Sequence, residues 1–165
     1  MRKIFTLIAI IFLFSSYVFA EDFTLSAGVS VNEVPEAFYG TWRIVAKLDN
    51  TNSYSTFKPQ SADMWILSRM GDIITLENPL TKASANISVK AVEGDLIVFS
   101  KKENYDNKIL TDTVSIRLDK NKFKGINSLS LESYSLIDNH LMKTETAHYI
   151  ITGEKISGEM SLQKN

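Results

Sequence analysis

From Trp42 onward, apolar and polar residues alternate one by one rather than recurring every three or four positions, which is the period of a half-buried β-strand. Gly, Asn and Asp interrupt the alternation at short, regular intervals. The pattern predicts strands over residues 41–49, 63–70, 73–77, 83–92, 95–102, 110–119, 122–132, 141–152 and 155–162. Four connections read as tight: Gly71-Asp72, Gly94-Asp95, Lys120-Asn121 and Gly153-Glu154. Gly and Asn tolerate the positive φ that two-residue hairpin loops need. Successive hairpins make a meander, and a meander of this size removes its exposed edges by closing. The expected fold is all-β, a single up-and-down antiparallel β-barrel of 8 to 9 strands. One short N-terminal helical turn is predicted over Val34 to Tyr39, where Pro35 suits early helical geometry.

Register can be tested against hydrophobicity, because a slip of one residue turns every side chain to the other face. Two-residue loops set Leu118 opposite Phe123, Ile116 opposite Gly125, Ile151 opposite Ile156 and Tyr149 opposite Gly158. Apolar residues then gather on one face, with Gly125 and Gly158 each facing a large side chain. The two glycines share the pattern Lys-apolar-x-Gly-x-x-Ser-Leu, at Lys122 to Leu129 and Lys155 to Leu162. We read it as a bending point that a coiled barrel strand requires, not as duplication. Residues 50–62, rich in Asn, Ser and Thr, form the longest expected loop and either gate a cavity or lie free at the surface. In the arm at 21–33, Phe23, Leu25, Val29 and Val31 alternate as an added edge strand would.

The first 20 residues change the picture of compartment. Arg2 and Lys3 precede an apolar run from Ile4 to Phe14, then Ser15, Ser16 and Val18-Phe19-Ala20, the layout of a cleavable secretory signal. A retained single anchor is the alternative. The expected organisation is a signal over 1–20, an arm over 21–33 and the barrel domain over 34–165, in a periplasmic or secreted protein. Losing Arg2 and Lys3 takes the 18 basic residues to 16 against 19 acidic ones, which makes nucleic acid an unsuitable partner. The chain has no Cys, so no disulfide supplements the core and no lipid-anchored cysteine follows the signal.

Phe38-x-Gly40-x-Trp42, following a helical turn and opening the first strand of an exported meander barrel, resembles the lipocalins. The Gly-x-Trp is also similar to one in the avidins. The lipocalin resemblance implies that the turn closes one end of the barrel and that Trp42 packs across its floor, with Gly40 and Trp42 structural. In that family an Arg from a late strand supports the Trp, and here the last two expected strands contain no Arg. Thr111-Asp112-Thr113 is similar at two of three positions to the family's Thr-Asp-Tyr loop motif, one strand earlier than the family places it.

Candidate chemistry is sparse. The two His residues, His140 in a loop and His148 on an outward position, do not pair with a nucleophile as acyl-transfer catalysis needs. Motifs for a nucleophile elbow, a zinc protease or a phosphate loop are absent. We therefore expect no catalytic residue, no metal site and no cofactor. The oxygen-rich runs Tyr105-Asp106-Asn107 and Asp49-Asn50-Thr51-Asn52 read as turn formers.

Polar residues on the apolar face carry more weight. Arg69 shares its face with Trp65 and Leu67, and either meets an acidic ligand head group, as in the fatty-acid-binding barrels that this architecture also resembles, or reaches solvent at the rim. Asp112, Asn127 and Tyr149 are also expected inward, and a few polar groups in an apolar cavity are what a small-molecule pocket requires. The expected function is non-catalytic binding of a small hydrophobic or amphipathic molecule, with Trp65, Arg69, Asn127 and Tyr149 lining the cavity. Two alternatives remain open. One is an interaction or inhibitor module with a filled barrel, engaging a protein partner through rim aromatics; the other is a small outer-membrane barrel.

Overall fold

The computed structural model describes residues 29–157. Eight antiparallel strands form one closed barrel in sequence order: β1 (Gly40–Thr51), β2 (Gln60–Met70), β3 (Ile73–Asn78), β4 (Ala83–Glu93), β5 (Leu96–Tyr105), β6 (Lys108–Asp119), β7 (Lys122–Tyr134) and β8 (Leu141–Ser157). The meander and its closure are those expected from the alternation. Several registers also agree, with Leu118 opposite Phe123, Ile116 opposite Gly125, Val114 opposite Asn127 and Asp112 opposite Leu129. Gly71 and Gly94 adopt φ of 60° and 62° in their turns, as two-residue hairpins require.

The ninth strand is where the structure departs from expectation. No turn forms at Gly153-Glu154; β8 runs straight through for 17 residues. Gly153 is bonded into the sheet on both sides, opposite Phe123 of β7 and Ile44 of β1. A hairpin there would leave β1 with an open edge, so barrel closure consumes the segment that the glycine suggested would turn. Ile151 consequently faces Gly125 and Ala46, and Tyr149 faces Asn127 and Leu48, in place of Ile156 and Gly158. Gly158, residues 158–162, the signal segment and most of the arm lie outside the described residues.

Two glycines serve close approach instead of turning. A Cβ on Gly125 would stand 2.0 Å from the Ser115 carbonyl oxygen, and one on Gly153 would stand 2.2 Å from the Phe123 ring. Phe123 thus packs its ring against the bare backbone of β8 at Gly153.

Two 3-10 turns, Val31–Glu33 and Glu36–Phe38, stand in place of the single turn expected and cap the end of the barrel where β1 begins. Gly40, at φ 124°, swings the chain from the cap into β1, a conformation that L side chains rarely adopt. Trp42 is fully buried across this end, its Nε1 donating to the Phe38 carbonyl at 2.9 Å. Phe123 packs against Trp42 at 5.1 Å between centroids and stacks on Trp65 at 6.2 Å, while Phe99 meets Phe38 and Trp65 edge-on. Lys155 of the last strand donates to the Ala37 carbonyl at 3.1 Å and sits 5.5 Å above the Trp42 ring. A late-strand cation therefore does support the Trp, although the sequence offers no Arg there.

Candidate functional site

The lumen is filled at the capped end and hollow toward the other. The cavity measures about 260 Å³ and lies between β2, β3, β4, β5 and β6. Alternation within each strand delivers its lining: Asp63 and Trp65 from β2, Leu76 and Asn78 from β3, Lys101, Glu103 and Tyr105 from β5, and Leu110, Asp112 and Val114 from β6. Trp65, Leu76 and Val114 make an apolar floor, and the charged residues stand above it. Exposed Thr81, Ala83, Ser84 and Tyr105 mark the mouth.

Lys101 anchors the polar wall. Its ammonium donates to Glu103 at 2.6 Å and lies 3.8 Å from the Asp112 carboxylate on the paired strand. Asp112 also accepts from Asn127 of β7. Burial pushes the Asp112 carboxyl above its ordinary range, against the pull of Lys101 and the Asn127 hydrogen bond. Glu103 moves the other way, held low chiefly by the hydrogen bond from Lys101 and then by that from Tyr105. Across the cavity, Asp63 accepts from Asn78 at 2.5 Å, from the Met64 backbone at 2.8 Å and weakly from Trp65 Nε1 at 3.4 Å. Among the described residues, three carboxylates of the lining thus face a single lysine, and the donors to Asp63 are all neutral.

The four ligand-binding candidates separate in space. Trp65 forms the cavity floor. Asn127 is one hydrogen bond away, behind Asp112. Tyr149 is buried, and its hydroxyl donates to the Lys58 carbonyl at 2.9 Å, so it fastens the 52–59 loop and is not among the lining residues. Arg69 lies at the capped end, donating to Gly71, Val31 and Asn32 at 2.7, 3.3 and 2.5 Å, where it clamps the first 3-10 turn to the β2–β3 turn.

The loop after β1 does not cover the cavity either. Its eight residues, 52–59, fold onto β8: Ser53 and Thr56 donate to Glu145 at 2.5 and 2.7 Å, Asn52 to Thr144, and Phe57 is buried. Lys143 approaches Glu145 at 2.8 Å, and these donors hold its carboxyl down at about 2. None of these loop residues lines the cavity.

Sequence reasoning missed Lys101, Glu103, Asp63 and Asn78. A signal existed: Lys101 and Glu103 have the same parity as the inward Ile97 and Phe99. Ending the strand at 102 hid Glu103, because the hairpin continues to a two-residue turn at Asp106-Asn107, while Lys101 lay within the expected strand and was passed over. A second depression, on the outer wall over Gly153, is open and spanned by the exposed Arg43–Glu154 ion pair, with Lys122 and Lys124 also on its lining. Comparison with protein-family models, curated proteins and solved structures finds no match for this chain.

Proposed function

We propose that the protein is an exported, non-catalytic, lipocalin-like carrier that binds one small amphipathic molecule in the β2–β6 cavity. The observation that carries this reading is the division of the cavity into an apolar floor and a polar wall, the arrangement that small-molecule sites use for affinity and orientation. Its volume is below the roughly 300–1,000 Å³ of pockets for drug-sized ligands, which favours a compact guest. Because carboxylates outnumber lysine three to one in the lining, the favoured head group is a protonated amine or another strong hydrogen-bond donor. Kinship with the lipocalins rests on Gly40, on Trp42 across the capped end, and on Lys155 in the place of the family's late Arg. Periplasmic or secreted location rests on the signal-like residues 1–20.

An outer-membrane barrel is disfavoured by the outward row Ser88, Ser100, Thr113, Ser128 and His148, which sets polar side chains across five adjacent strands where a lipid-facing band would be apolar. The test is a fluorescence titration of the protein with short alkylamines, aromatic amines and, as the opposite charge, fatty acids. Trp65 in the floor should respond to the amines, and Trp65→Phe should abolish the response. If no amphipath of either charge perturbs Trp65, the carrier reading fails.

A further inference from the structure

Exposed apolar side chains concentrate at the open end of the barrel. Each of its four connections carries at least one: Tyr54 after β1, Leu80 after β3, Tyr105 before the β5–β6 turn, and Leu136 with Ile137 after β7. Ile137 is 97% exposed and Leu136 83%, while Leu141 and Met142 flank them at the start of β8. The loop that presents them is braced from within. Ser135 donates to the His140 carbonyl at 2.9 Å, Asn139 to Ser135 at 3.1 Å, and Tyr134 to Asn107 of the neighbouring turn at 2.8 Å. Two branched side chains are thus held out on a stiff support, where burial within the barrel is closed to them.

An exposed lysine accompanies each connection: Lys58, Lys82, Lys108 and Lys143, the last already paired with Glu145 at 2.8 Å. Asp106 and Asp138 are the exposed acids of the same turns and Asp49 is exposed near the end of β1, while Asp138 is hydrogen-bonded to His140. The described chain begins and ends at the other end of the barrel, with Val31 against Arg69 and Ser157 opposite Thr41.

We propose that this rim docks on a lipid surface bearing anionic headgroups, with Leu136 and Ile137 entering the acyl boundary and the lysines lying among the headgroups. The tips sit on four separate connections, whereas a stable protein interface buries roughly 800 Å² of surface on each side. A fluid interface receives each tip separately, and lysines beside the apolar residues add attraction to anionic lipid. Docking in this pose turns the cavity mouth, at Thr81 and Tyr105, toward the membrane.

The experiment is co-sedimentation of the chain from Glu21 onward, whose barrel closes within Gly40–Ser157, with vesicles of phosphatidylethanolamine and phosphatidylglycerol or of phosphatidylcholine alone. Binding should favour the anionic vesicles. The double variant Leu136→Ser/Ile137→Ser should weaken it at least about tenfold, and Lys58→Glu/Lys82→Glu should weaken it on anionic vesicles only. An Ile137→Trp variant adds an independent readout, since its emission should shift to the blue on anionic vesicles. Sedimentation that ignores the Leu136/Ile137 substitutions, or no binding to anionic vesicles, overturns the proposal. So does a rim-dependent dimer that leaves vesicles untouched, which would make a second copy the occupant. Leu136, Ile137, Lys58 and Lys82 do not line the cavity, so amine titration of Trp65 in solution is independent of them and either reading can fail without the other.

Discussion

The contact between Phe123 and Gly153 should behave as a coupled pair, and Gly153→Ala is the perturbation that exposes it. The added Cβ would lie 2.2, 2.4 and 2.7 Å from three atoms of the Phe123 ring, where ordinary contact begins at 3.4 Å. The ring must therefore move by about 1 Å. It has little freedom to do so, being almost fully buried, 5.1 Å from the Trp42 ring and stacked on Trp65. Overpacking of this kind costs about 1–3 kcal/mol, and the confinement argues for the upper half of that range. Phe123→Leu alone should cost about 1–2 kcal/mol from lost volume. In the double variant the Cβ occupies space that the ring has vacated, so the two losses should fall short of additive by at least about 1 kcal/mol. Urea unfolding followed by Trp fluorescence suits the cycle, because both tryptophans of the chain touch Phe123. Gly125→Ala is the control: its Cβ meets the Ser115 carbonyl and Ile116 Cα, backbone atoms that Phe123→Leu cannot relieve. A Gly153→Ala variant within about 0.5 kcal/mol of wild type, or an additive cycle, would refute the packing argument.

Three further outcomes follow from the same geometry. Lys155→Ala should destabilise by about 0.5–1.5 kcal/mol through loss of the cation over Trp42 and of the bond to Ala37, whereas Lys155→Arg should retain most of that stability in urea unfolding. Glu145 is depressed from 4.5 to about 2, so its contribution is present above about pH 4.5 and is lost as pH falls toward 2; acid titration should loosen the 52–59 loop in the wild type, and Glu145→Gln should loosen it already at neutral pH, read by proteolysis near Tyr54. Asp112 is raised by burial, so its effect has the opposite sign: it favours the fold below its ordinary 3.8, an advantage lost as pH rises through the raised value. Asp112→Asn should therefore leave neutral-pH stability equal or higher in thermal unfolding while weakening amine binding at Trp65.

The closed meander and the β6–β7 register were legible from local pattern, and the capped end at Trp42 from the resemblance to lipocalins. Side chains alternate on a strand with a period of two, and residues flanking a two-residue turn can pair in few ways. That logic located Leu118 opposite Phe123 and placed His148 outward, where it bonds Ser128. It could not tell a glycine that turns the chain from one that admits a neighbour's ring. Gly71 and Gly153 look alike in sequence, yet one has positive φ and the other lies paired on both sides.

The candidate site was legible only in part, for a related reason. Inward parity identified Trp65, Asp112 and Asn127, but not which inward residues meet. Arg69 and Trp65 share a strand and a face, and still serve opposite ends of the barrel, because the cap reaches one and the hollow the other. Sequence by itself determined the strand period, the closure and the absence of cysteine, since these follow from local spacing and composition. Where the lumen stays hollow, and which charges gather there, only the tertiary structure decided, because lumen space depends on ring packing between strands distant in the chain.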